Sequence, residues 1–139
     1  MQSTTIFGQT YDIISYNIRY DNEWDIENSW GKRRDKIKQL LDYYKPSIFG
    51  IQEGLSNQVH FIDSCLSNYR YVGVGRDDGG EKGEFCAIFV DTVKFTISEF
   101  STFWLSETPD NVTVGWVAAL ERICTYGLFK DKVTKENFW

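Results

Sequence analysis

The sequence predicts an α/β (α+β) protein whose strands pair both in parallel and antiparallel. Two observations carry this. In the first half, apolar strand runs alternate with amphipathic helices at the spacing of βαβ units. In the second half the helical period disappears, and short β-branched and aromatic runs follow one another across charged, glycine-rich turns. The 139 residues suit one domain with a real core, and 42% hydrophobic against 25% charged residues is a globular balance.

The first strand is expected over residues 11–19, Y-D-I-I-S-Y-N-I-R. Ile13, Ile14, Tyr16 and Ile18 place apolar side chains on both faces, the pattern of a central strand covered on both sides. Asn17 and Arg19 interrupt that pattern near the C-terminal end, and a polar group in a buried strand requires partners. Either the strand emerges there into solvent, with Asn17 opening the next loop, or Asn17 serves a function at the strand end. A polar loop over 21–30 carries Trp24 and Trp30. A helix over 32–44 follows, with Ile37, Leu40, Leu41 and Tyr44 at i, i+3, i+4 and i+7, and Pro46 stops it. A short apolar strand over 47–52 ends on Glu53. Ser56 is expected to cap a second helix over 57–66, with Val59, Ile62, Cys65 and Leu66 on one face.

From Tyr69 to Gly75 a short strand is expected, then the tight loop R-D-D-G-G-E-K-G-E. Phe85 to Val90 is a further apolar strand, and Asp91-Thr92 turns the chain into another over 93–100. Residues 101–114 are expected to be irregular, and residues 120–130 form the last clear strand, with Arg122 inside it. The closing K-V-T-K-E-N-F-W is rich in strand formers. It reads as a turn leading into a further strand, so the chain is expected to be a truncated one.

A net charge of −5 argues against tight non-specific binding to a polyanion, which requires clustered Lys and Arg. It leaves room for an anionic substrate held through a bridging cation. No run of about 18 apolar residues exists, so no membrane span is expected. Residues 1–10 lack a basic segment followed by an apolar one, which points to a cytoplasmic location. Cys65, Cys86 and Cys124 are odd in number and have no C-x-x-C spacing, so buried thiols are expected.

Functional groups collect at the carboxyl ends of parallel strands. If the strands ending at Asn17 and Glu53 are neighbours, an amide and a carboxylate converge there, which would suit a hard cation such as magnesium. The alternative is that Glu53 caps the helix after it and Asn17 merely turns the chain. Glu84 could orient a general base or stand as an exposed loop carboxylate. Arg122, in an apolar strand, needs an anionic partner, either a phosphate or a structural carboxylate. Arg76, Asp77 and Asp78 form a turn. His60, the single histidine, falls on the polar side of the second helix.

At these residues the sequence resembles the endonuclease/exonuclease/phosphatase superfamily, deoxyribonuclease-like metal-dependent phosphoesterases. The matching pieces are S-Y-N-I-R (Ser15 to Arg19), F-G-I-Q-E (Phe49 to Glu53), G-R-D-D-G (Gly75 to Gly79), G-E-F-C-A-I-F (Gly83 to Phe89), F-W-L-S-E-T-P (Phe103 to Pro109) and R-I-C-T-Y (Arg122 to Tyr126). They occur in the family's order over nearly the whole chain. The resemblance implies part of a two-sheet α/β sandwich with flanking helices, an incomplete domain over 1–139. It implies phosphoester hydrolysis assisted by Mg2+ or Mn2+, by a phosphodiesterase, phosphatase or nuclease. By it, Glu53 and Asn17 would serve the metal, Asn17, Glu84 and Arg122 the catalysis, and Arg76 and Trp104 the substrate. Glu84 would be the carboxylate that pairs with a catalytic histidine. The family's T-H-x-D-H-like, G-D-x-N-like and S-D-H-like segments are absent, and Val117 stands where the branch carries an acidic residue after the Trp. These 139 residues are therefore expected to hold about half a site. The competing reading is a non-catalytic binding module whose Trp24, Trp30, Trp104 and Trp116 form a recognition surface.

Overall fold

A computed structural model describes residues 10–139. The expectation about a leader concerns residues 1–10, of which 1–9 lie outside it. In chain order the elements are β1 (Ile13–Asn17), α1 (Trp30–Tyr44), β2 (Ile48–Gly54), α2 (Ser56–Cys65), β3 (Tyr69–Val72), β4 (Phe85–Asp91), β5 (Phe95–Trp104), β6 (Ile123–Asp131) and β7 (Asn137–Phe138).

The βαβ spacing of the first half gives what it predicts for the first pair. β1 and β2 are parallel, with Ile13 opposite Ile48 and Asn17 opposite Gln52. The second helix leads elsewhere. β4 inserts between β2 and β3, antiparallel to both, so the first sheet runs β1-β2-β4-β3. The second sheet is antiparallel, β5-β6-β7.

Alternation decides which side chains meet which layer. Phe49, Ile51, Phe85, Ala87 and Phe89 point to the helices and pack with Ile37, Leu41, Val59, Ile62 and Leu66. Phe49 and Phe89 stack with ring centroids 4.7 Å apart. On the other face Ile48 and Val90 meet Phe95 and Phe129 of the second sheet. Each such side chain, fully buried, stabilises the fold by about 1.5–3 kcal/mol. The layers are thus helices, mixed sheet, antiparallel sheet. Across the sandwich the Tyr11 hydroxyl donates to Asp131 Oδ2 at 2.6 Å, tying the approach to β1 to the end of β6.

Several expectations are corrected. β1 is an edge strand among the described residues, not a central one: it pairs only with β2, and Ile13 is 65% exposed. β5 continues through Phe103 and Trp104 because they pair with Cys124 and Ile123, so the irregular segment begins only at residue 105. Arg122 lies just before β6 rather than inside it. The closing aromatic residues already make a strand, since β7 pairs Phe138 with Phe129. Ser56 opens α2 as its first residue and does not cap it. Tyr44 is exposed despite its helical spacing. All three cysteines are free, but Cys124 is exposed and Cys65 and Cys86 only half-buried. Among the described residues no helix is long and apolar enough to cross a membrane.

Candidate active site

The parallel register of β1 and β2 puts Asn17 beside Gln52. Glu53 would then turn toward the helices, as Ile51 does, but a β-bulge intervenes. Ile51 opposes Ala87 while Gly54 opposes Phe85, so β2 carries one extra residue there. Glu53 takes φ 60°, the left-handed region, within that bulge. Bulges re-aim side chains in this way. As a result Glu53 Oε1 accepts from Asn17 Nδ2 at 2.7 Å. Asn17 Oδ1 in turn accepts from the backbone N–H of Arg19 at 2.9 Å, so both ends of the amide are matched to their partners.

The opposite wall comes from the loop between β3 and β4. Arg76 grips both oxygens of Glu84, at 3.1 and 3.2 Å, and neither side chain is more than a quarter exposed. Backbone bonds close the loop, Arg76 N–H to Glu84 O and Asp77 N–H to Lys82 O. Asp78 Oδ1 accepts from the N–H of Lys82 and of Gly80, and these two bonds hold its carboxyl below the usual range. Gly83 has φ 80°, and a Cβ there would stand 2.3 Å from Asp77 Oδ1, so the turn favours glycine.

Between these walls lies a cleft of about 250 Å³, lined by Asn17, Gln52, Glu53, Arg76, Glu84, Cys86, Glu121, Arg122 and Ile123. Arg122 is exposed and makes no ion pair among the described residues. Burial pushes the Cys86 thiol up, so it stays protonated and is an unactivated group.

Five of the six sequence-singled site residues therefore share one cleft: Asn17, Glu53, Glu84, Arg76 and Arg122. The sixth, Trp104, does not line it. Trp104 is 6% exposed, and its indole N–H donates to the Arg76 carbonyl at 2.8 Å, so it supports the wall from behind. Glu84 is not an exposed loop carboxylate, since its side chain is 24% exposed and both its oxygens accept from the guanidinium of Arg76. Nor does Arg122 meet the half-buried setting expected of it. Glu53 makes no helix cap; the N–H of Leu55 is capped by Gln58 Oε1 at 3.0 Å. His60 is exposed on α2 outside the cleft, with its Nε2 3.5 Å from Glu81. The four tryptophans do not form one surface: Trp30 and Trp104 are buried, Trp24 and Trp116 exposed, and Val117 is fully exposed.

Sequence reasoning missed Gln52, Cys86, Glu121 and Ile123. Gln52 and Cys86 could have been found from alternation, since each sits one residue off the apolar helix-facing set. Glu121 carried no signal.

Among the described residues no three acidic, histidine or cysteine side chains gather into a complete cation site. The donors present are oxygens, with Glu53's second oxygen unused by any hydrogen bond among these residues. That set fits a hard cation, which takes one or two carboxylates and completes its shell with water and phosphate.

Fold and cleft together define an α/β sandwich that gathers amide, acidic and basic groups at one strand-end rim. No family model and no curated protein matches the chain. Solved structures do. An endonuclease/exonuclease/phosphatase from Bacteroides vulgatus is 40% identical, with a TM-score of 0.90 over 92% of this chain and 49% of that one. A family protein from Bacteroides thetaiotaomicron is 46% identical, with a TM-score of 0.89 over 92% of this chain and 46% of its own. A mannosyl-6-phosphatase from the same organism is also 46% identical, with a TM-score of 0.89 over 93% and 49%. The chain belongs to the endonuclease/exonuclease/phosphatase family, and it spans about half the length of the structures it matches.

Proposed function

We propose that the cleft is part of a metal-dependent phosphoester hydrolase site whose substrate is a sugar phosphate monoester. The observation that carries this is the 2.7 Å bond between Asn17 and Glu53 at adjacent parallel strand ends, facing two arginines. The net charge of −5 favours a small phosphoester over duplex nucleic acid. The likeness to the mannosyl-6-phosphatase at 46% identity supports the sugar monoester in particular.

Glu53, with Asn17 beside it, would hold Mg2+ or Mn2+. Such a cation, when bound, neutralises charge developing on the phosphoryl oxygens. Asn17 fixes the Glu53 carboxylate through its N–H, so one carboxylate oxygen stays turned to the cleft. Arg122, which makes no ion pair among the described residues, is placed to fork onto two non-bridging phosphate oxygens. Arg76, fastened by Glu84, presents an already oriented guanidinium at the other wall. No histidine lines the cleft among the described residues, so no group here is suited to take the proton of an attacking water. These 139 residues accordingly turn over little substrate by themselves.

The test is a fusion of this chain to the remaining half of the Bacteroides thetaiotaomicron mannosyl-6-phosphatase. Phosphate release from mannose 6-phosphate is expected to require Mg2+ or Mn2+ and the fused half, and to vanish with Glu53→Ala. Turnover by the unfused chain equal to that of the intact phosphatase, or indifferent to Glu53, contradicts the reading.

A further inference from the structure

Gln58 sits in the first turn of α2 with its side chain fully buried, and it joins two loops that, among the described residues, no other buried amide connects. Its Oε1 accepts from the backbone N–H of Leu55 at 3.0 Å and of Asp21 at 2.9 Å. Its Nε2 donates to the carbonyl of Arg19 at 3.0 Å. Leu55 lies two residues beyond Glu53, and Arg19 lies two beyond Asn17. One amide therefore spans the two strand ends that carry the pair.

The backbone it ties is unusual at both ends. Arg19 has φ 57° and Glu53 φ 60°. Side-chain-bearing residues keep such conformations only where their surroundings over-determine them. On the first loop Arg33 adds to the restraint, since its guanidinium donates to the carbonyls of Ile18, Arg19 and Asn28. On the second loop the side-chain restraint is Gln58.

We propose that Gln58 is a positioning residue for the Asn17–Glu53 pair, fixing the spacing of the two strand-end loops so that the carboxylate stands in the cleft. This rests on reading that pair as the metal-holding part of the site. A residue that only capped α2 would influence stability and leave the pair alone.

Gln58→Met preserves length and removes all three bonds. Ile62→Val, on the same buried face of α2, weakens packing without touching either loop and is the comparison. Two quantities are read on folded protein: the Mn2+ dissociation constant from water-proton relaxation, and the side-chain amide resonances of Asn17, which report its bond to Glu53. Gln58→Met is expected to weaken Mn2+ binding roughly 10–100-fold, the range typical for groups that orient metal ligands. It should also move the Asn17 resonances toward those of a solvated amide, while Ile62→Val changes neither. A folded Gln58→Met with unaltered Mn2+ affinity and unaltered Asn17 resonances overturns the proposal. If the parent chain binds no Mn2+, the metal reading fails and the Asn17 resonances decide the positioning role alone. Should Gln58→Met not fold, Gln58→Glu keeps the oxygen that accepts from Leu55 and Asp21, loses the donor to Arg19, and is read in the same two ways.

Discussion

Asn17 Nδ2 stands 2.7 Å from Glu53 Oε1, across strand ends whose backbones are paired at Asn17 and Gln52. The bond depends on the one-residue bulge in β2, without which Glu53 would face the helices. Asn17→Asp places two carboxylates at that distance and makes them repel. The substitution is expected to lower stability at neutral pH by up to about 1 kcal/mol, since the site is open to solvent. Mg2+ should restore the loss. Thermal melts with and without Mg2+ check this, and a variant indifferent to Mg2+ counts against a cation at the pair.

The Arg76–Glu84 pair is more enclosed, with side chains 14% and 24% exposed. Removing the guanidinium strands a carboxylate in a half-buried wall. Arg76→Met is predicted to cost about 2 kcal/mol. Replacing both partners by apolar groups should cost less than the two single changes summed. A double-mutant cycle in urea measures that coupling.

Gly83→Ala tests the same wall through the backbone. At φ 80°, with a Cβ predicted 2.3 Å from Asp77 Oδ1, alanine must open the turn. The expected cost exceeds about 1 kcal/mol. Glu84 should be drawn out of reach of Arg76, which a crystal structure of the variant would show directly.

How much of this was legible in the sequence follows from what each feature depends on. Asn17, Glu53 and Glu84 were visible because a polar residue at the end of an apolar strand has few explanations. The parallel pairing of β1 and β2 followed from helix spacing. The insertion of β4 between β2 and β3 did not, because pairing partners are set by packing rather than by local pattern. The bulge at Gln52–Glu53 leaves no mark on apolar periodicity. Gln58 leaves no mark on the amphipathic pattern of α2, since its partners are backbone groups of distant loops. Trp104 looked like a recognition residue because it lies among matching motif residues, yet its indole serves the Arg76 carbonyl.

The bond between Tyr11 and Asp131 gives the fold a pH dependence of its own. Chiefly through that bond, the Asp131 carboxyl is held below its usual range and the Tyr11 hydroxyl is raised. The folded chain thus binds the Asp131 proton more weakly than the unfolded chain. Its contribution is present above the unfolded value of about 4 and is lost as pH falls through the lower folded value. The Tyr11 contribution is present below about 10 and is lost as pH rises through the raised folded value. Tyr11→Phe should lower stability at neutral pH and reduce both the acid and the alkaline dependence. Urea melts across pH measure it; unchanged profiles would deny the bond any role.

The central claim is that Glu53, fixed in place by Asn17, holds a divalent cation. Anomalous diffraction from crystals of this chain soaked in Mn2+ tests it most directly. The account predicts an anomalous peak at coordination distance, roughly 2.0–2.2 Å, from a Glu53 oxygen, with Asn17 alongside and no such peak in Glu53→Ala crystals. A peak on other carboxylates, or well-diffracting soaked crystals with none at Glu53, would contradict it.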